Sequence, residues 1–187
     1  GPFNALVADA KWRIPLTTAL RQLPQSDLTV EAWFRTTAAG LNILMGNWTN
    51  VASSGAVNLQ LEVNNDIRMY MRSSAGTIDS MQLPTRTNNT ARDGKWHHLA
   101  GVRRDTSMTL YLDGQAMGST NTGAGAYTLG GSHYFLGRDW RGTSGGLFNG
   151  EIGHARLWTR ALSSNEVAGI AAFGVPGVGA VTNAGLL

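Results

Sequence analysis

The chain has 187 residues, with 15 Lys and Arg against 12 Asp and Glu, 42% hydrophobic residues and 14% charged residues. One domain with a real core is the natural size class, and the balance excludes disorder, which needs low hydrophobicity and high net charge. With 24 glycines in no G-X-Y period and no cysteine, the sequence also excludes collagen, a disulfide framework and a thiol nucleophile.

In chain order, Gly1-Pro2 matches a protease-cleavage scar, which leaves room for a signal peptide or further domains outside this sequence. Phe3–Val7 and Trp12–Leu16 are short apolar runs that read as a first hairpin or edge pair. Leu16–Leu23, between Pro15 and Pro24, is irregular or a helical turn. Thr29–Arg35 alternates, with Leu28, Val30, Ala32 and Phe34 on one face and Glu31, Trp33 and Arg35 on the other. Asn42–Trp48 is a strand that runs into the polar loop Thr49–Gly55. Leu59, Leu61 and Val63, then Ile67, Met69 and Met71, alternate with polar residues around Asn64-Asn65-Asp66, a hairpin.

Asp93–Met117 carries the strongest pattern. An apolar run from Trp96 to Arg104 is followed by Met108, Leu110 and Leu112 alternating with Thr109 and Tyr111, and then by Asp113-Gly114. Asp-Gly between alternating runs favours a type I′ turn, with φ > 0 at both central residues. Asn121–Gly131 is loop-like, although Tyr127–Leu129 could pair briefly. Tyr134–Gly137 is a strand, Arg138–Gly146 a polar loop and Gly150–Trp158 a further strand. Ser163 with Glu166 three residues on is a capping box that starts a helix with a Val167, Ile170 and Ala171 stripe and a stop at Gly174. The expected fold is all-β, a two-sheet antiparallel sandwich of jelly-roll type with one short C-terminal helix; a closed barrel is the alternative. The domain spans 3–175, and 176–187 is a last strand or a linker tail.

Gly94-Lys95-Trp96-His97-His98, Leu112-Asp113-Gly114, and Phe148-Asn149-Gly150 leading to Arg160-Ala161-Leu162-Ser163 follow one another in an order that resembles the laminin-G-like branch of the concanavalin A-like lectin/glucanase superfamily. The resemblance covers about the whole chain and implies the same fold. Glucanases on this fold set two carboxylates on one strand, as glycoside hydrolysis requires. No strand here pairs its acids; Glu31, Glu62, Glu151 and Glu166 are isolated in sequence. A lyase would need a base beside an anion-neutralising group, and His133, Tyr134 and Arg138 lie near one another. His98 reads as a packed strand histidine. No catalytic residue is therefore assigned.

The resemblance also implies calcium at the rim of the sandwich, held by acids near the first-strand Phe and the late Gly-x-Ile strand. Here Asn4, Gly153 and His154 stand at those positions, and calcium prefers several carboxylate oxygens. No cofactor is firm; calcium stays open, with Asn4, Asp9 and Asp139 as weak candidate ligands.

Sugar recognition combines an aromatic platform with planar polar groups. Asn47-Trp48, His133-Tyr134 and Arg138-Asp139-Trp140-Arg141 have that mixture, with Trp140, in a polar glycine-flanked loop, the central candidate. Trp33, Trp96 and Trp158 lie in apolar strands and read as core. Thirteen arginines leave two readings open, a solvated, slightly basic surface or an acidic glycan as partner. The doublet Arg103-Arg104 is too little for nucleic acid, and no apolar run is long enough for membrane insertion. The sequence thus reads as a non-catalytic carbohydrate-binding or adhesion module of a larger secreted, cell-surface or virion protein. The alternatives are a glycanase or lyase on the same fold and a protein-binding structural module. It leaves the oligomeric state open.

Overall fold

A computed structural model of the chain describes residues 6–7, 13–18, 21, 27–51, 54–85, 91–123, 127–139 and 146–174. In these residues twelve strands form two antiparallel sheets of six strands each. In chain order they are β1 (Leu6–Val7), β2 (Arg13–Pro15), β3 (Leu28–Arg35), β4 (Asn42–Gly46), β5 (Ala56–Leu61) and β6 (Ile67–Arg72). β7 (Ile78–Leu83), β8 (His97–Arg104), β9 (Ser107–Leu112), β10 (Gln115–Asn121), β11 (His133–Leu136) and β12 (Glu151–Trp158) follow, and then the helix α1 (Ser164–Phe173). Sheet A has the order β1-β12-β3-β8-β9-β10 and sheet B the order β2-β11-β4-β5-β6-β7. The two sheets face each other as an open sandwich, with no closed barrel among the described residues.

Period-2 alternation builds the core. Leu28, Val30 and Phe34 of β3, Leu59 and Leu61 of β5, Met69 and Met71 of β6, and Met108 and Leu110 of β9 are all fully buried between the sheets. The Asp113-Gly114 turn has φ 51° and 78°, the expected geometry for its hairpin. Gly114 has a second reason to be glycine: a Cβ there would lie 3.0 Å from both Ala168 Cα and Ala171 Cβ. The hairpin tip therefore abuts α1. That helix covers Ala100, Val102 and Tyr111 on the outer face of sheet A through Val167 and Ile170. Its capping box is complete. Ser163 Oγ accepts from Glu166 N–H, the Glu166 carboxylate accepts from Ser163 N–H, and Gly174 ends the helix at φ 71°.

Two expectations change. β1 and β2 are not a hairpin or an edge pair: β1 pairs with β12 in sheet A, and β2 with β11 in sheet B. Short apolar runs show that a strand exists but not which late strand it meets. β7 was not expected from the sequence, because it breaks the alternation. Met81 and Leu83 turn inward, yet exposed Ile78 opposite Arg72 puts an apolar residue on the outer face as well. Tyr127 and Leu129 are buried without joining a strand.

Candidate functional site

The inward residues of the β5–β6 hairpin force its other residues outward. Asn58 stands opposite Tyr70, and Gln60 opposite Arg68, on the outer face of sheet B. Next to Asn58, β4 contributes Gly46, where a Cβ would come within 2.1 Å of Asn58 Oδ1. The missing side chain lets that oxygen reach over β4 and accept the N–H groups of Asn47 and Trp48, both at 3.1 Å. Trp48 is thereby fixed where the strand ends. The Arg72 guanidinium lies 5.8 Å from the centre of its ring and donates to Ser54 O at 2.8 Å and Thr49 O at 2.9 Å.

The result is a groove of about 290 Å³ lined by Leu41, Trp48, Asn58, Gln60, Glu62, Arg68 and Tyr70. Its one acid is Glu62, whose Oε1 accepts from Gln60 Nε2 at 2.7 Å and Arg68 Nη1 at 2.9 Å. Arg68 also donates to Ser80 Oγ and stacks 5.3 Å from the Tyr70 ring. Behind the groove, Arg92 ties three carbonyls together, those of Ala38, Gly40 and Glu62. Two aromatic rings, two carboxamides, one carboxylate and one guanidinium in a shallow trough form the mixture that grips polyhydroxylated rings.

Of the residues expected from the sequence, Trp48 is in this groove. His133 and Arg138 belong to the same face farther out: β11 adds to β4 with Phe135 opposite Gly46, His133 stacks 5.9 Å from Phe135, and Arg138 lies 4.8 Å over the Phe135 ring. Asn47, Tyr134 and Asp139 are turned into the protein instead. Asn47 is fully buried; it donates to Gly55 O and Gly130 O and accepts from Val57 N, which spends the whole carboxamide on clamping two loops. Tyr134 is a core residue whose hydroxyl donates to Val57 O. Burial pushes its phenol far above the usual value, so it has no part as a lyase base. Asp139 is buried as well. Trp140, Arg141, Asn4 and Asp9 lie outside the described residues. Gln60, Glu62, Arg68 and Tyr70 escaped the sequence reading, which took them only as the polar face of a hairpin. The available signal was an outer face of amides, Arg and Tyr immediately after a Trp-bearing loop.

Charged residues also gather on the outer face of sheet A. Glu31, fully buried, bonds His98 Nε2 at 2.7 Å and Arg156 Nη1 at 2.7 Å, and His154 Nδ1 accepts from Arg156 at 2.8 Å. Trp33 lies over His98, with ring centres 5.3 Å apart. Of the three tryptophans expected in the core, Trp33 is buried, though on this outer face rather than between the sheets, and Trp96 and Trp158 are half-buried beneath Arg35 and Arg160. The residues that alternate with them, such as Phe34, take the core positions. Among the described residues the outer face of sheet A holds this cluster, a second ion pair between Arg35 and Glu151, and a packed helix.

A model of the laminin G type within the concanavalin A-like lectin/glucanases superfamily matches residues 13–168. The chain belongs to this family. The laminin-G-like domain is 32% identical to human laminin subunit alpha-1 over 95 residues, which are 51% of the chain and 3% of that protein. Its fold is similar to that of the CBM40 of the Ruminococcus gnavus IT-sialidase bound to alpha2,3 sialyllactose, with TM-score 0.65, 16% identity and coverage of 80% and 84% of the two chains. It is similar as well to domains LG4-5 of the mouse laminin alpha1 chain, with TM-score 0.62, 19% identity and coverage of 84% and 43%. The binding domain of botulinum neurotoxin serotype G shares the fold at TM-score 0.62 and 12% identity, with coverage of 85% and 39%. Among the described residues, no helix is long and apolar enough to cross a membrane.

Proposed function

We propose that this laminin-G-like domain is a non-catalytic glycan-binding module of a larger secreted or surface protein, and that it binds through the outer face of sheet B. The observation that carries the reading is the groove of Trp48, Asn58, Gln60, Glu62, Arg68 and Tyr70. An indole and a phenol give a sugar ring apolar surface, and the planar polar groups between them can meet its hydroxyls. Glycoside hydrolysis needs two carboxylates flanking the scissile bond, and this groove offers Glu62 alone. The similarity in fold to a sialidase module bound to sialyllactose, and to laminin and toxin binding domains, supports a role in binding.

A glycan array probed with the purified domain and with Trp48→Ala tests the reading. The expected result is a defined set of glycans bound by the wild type and lost in the variant, with thermal melting showing that the variant folds. An array without signal, or release of reducing ends or unsaturated products from the bound glycans, removes the reading.

A further inference from the structure

The groove's polar groups divide into those already committed and those with capacity left. Arg72 is 5% exposed and spends its guanidinium on Ser54 O and Thr49 O while packing on Trp48. Arg68 is held by Glu62 Oε1 and Ser80 Oγ and lies on Tyr70. Arg68 is thus the one cation lining the groove, and its charge is balanced at 2.9 Å by Glu62, while Arg72 is buried behind Trp48 with its N–H groups on backbone carbonyls. Other atoms have no hydrogen-bond partner among the described residues: Glu62 Oε2, Gln60 Oε1, Asn58 Nδ2, Arg68 Nη2 and the Tyr70 hydroxyl. Two of these are pure acceptors, two pure donors and one either. An anionic substituent would have to take Arg68 from Glu62 or sit beside that carboxylate. Hydroxyls, which donate and accept, satisfy the set as it stands.

We infer that the groove selects a neutral, hydroxyl-rich sugar ring, with Glu62 and Gln60 accepting from ring hydroxyls and Asn58 donating, and that a carboxylated or sulfated sugar is disfavoured there. The inference rests on the glycan-binding reading above. The volume of about 290 Å³ lies at the small end for ligand sites and fits one ring rather than a long chain. Glu62 sets the specificity: it supplies the strongest acceptor for a hydroxyl and repels an anion.

Isothermal titration with matched pairs decides it, each neutral oligosaccharide that the array identifies being titrated beside its sialylated, sulfated or uronic counterpart, with lactose and alpha2,3 sialyllactose included. The neutral member is expected to bind more tightly, with a Kd that stays within about twofold when salt rises from about 50 to 500 mM, a range over which exposed charge contacts are screened. Glu62→Gln keeps the shape and is expected to weaken neutral binding about tenfold, the worth of a charge-assisted hydrogen bond. Gln60→Ala, which removes no charge, is expected to weaken it as well. Tighter, salt-sensitive binding of the acidic member, strengthened by Glu62→Gln, overturns the inference and leaves the glycan-binding reading standing. So does neutral binding that neither variant changes. Absence of binding to either member of every pair removes both.

Discussion

The Glu31 carboxylate lies 2.7 Å from Nε2 of His98, on neighbouring strands of sheet A, and both side chains are wholly shielded from solvent. Burial pushes the Glu31 carboxyl up, yet the hydrogen bonds from His98 and Arg156 outweigh it and hold the group below its ordinary value. A buried acid in this position is stable only with both partners in place. Glu31→Ala strips His98 and Arg156 of their common acceptor and is expected to cost about 3 kcal/mol, the lower part of the range for breaking a buried pair, because Arg156 is partly exposed and can rehydrate. Chemical denaturation of wild type and variant measures it; a change under about 1 kcal/mol would show the cluster to be energetically idle.

His97, one residue earlier, faces the opposite way and bridges two turns, with Nδ1 2.9 Å from Asp113 and Nε2 3.0 Å from Asp93. Burial lowers its pKa, but the bonds to Asp113 and Asp93 outweigh that and raise it. For Asp93, burial raises the pKa, while bonds from Lys95 N–H and His97 prevail and lower it. The raised histidine contributes stability that is full below its unfolded pKa, about 6.5, and is lost as pH climbs through the higher folded value. The lowered aspartate contributes above about 3.9 and loses that contribution as pH falls through its lower folded value. The cluster is thus most stabilising between about pH 4 and 6.5. The Tm difference between wild type and His97→Gln should be largest in that window and shrink toward pH 9; a difference independent of pH contradicts the coupling.

The capping box at α1 is a local feature, fully written in Ser163 and Glu166, and Ser163→Ala should cost about 1 kcal/mol. An unmoved denaturation midpoint counts against it. The same locality explains what the sequence made legible. Alternation in β3, β5, β6 and β9, the apolar run of β8, the Asp113-Gly114 turn and the helix caps each depend on a few adjacent residues. Pairings such as β1 with β12 and β2 with β11 depend on residues far apart in the chain and were not legible. The site was half legible for the same reason. Trp48 signals itself as an aromatic in a polar loop, whereas Tyr134 and Asn47 have the right side chains for a ligand but spend them on Val57, Gly55 and Gly130. Composition cannot show where a hydroxyl or an amide points.

Gly46 is the position at which fold and groove meet. Gly46→Ala drives a methyl into the space held by Asn58 Oδ1, which must withdraw from the Asn47 and Trp48 N–H groups. The expected cost is about 1–3 kcal/mol from overpacking, together with a weaker hold on glycan as Trp48 loses its anchor. Melting and array binding report the two effects separately. Full binding by a variant that melts like wild type would mean that Asn58 does not position Trp48.

Calcium should add little stability. The resemblance to calcium-binding relatives places acids where this chain has Gly153 and His154. His154 is no substitute, since its Nδ1 accepts from Arg156. Burial lowers the His154 pKa, and the adjacent guanidinium lowers it further. That same positive charge repels a cation from the strand where a ligand would be needed. Among the described residues no group of three His, Asp or Glu side chains is placed to hold a metal. Calcium needs six or more oxygens, mostly anionic, and binding tighter than millimolar would appear as stabilisation by mass action. Melting curves in chelator and in about 2 mM calcium should therefore superimpose within about 1 °C. A rise of several degrees in Tm, retained in the variant His154→Ala, would locate a calcium site elsewhere on the rim and overturn the expectation.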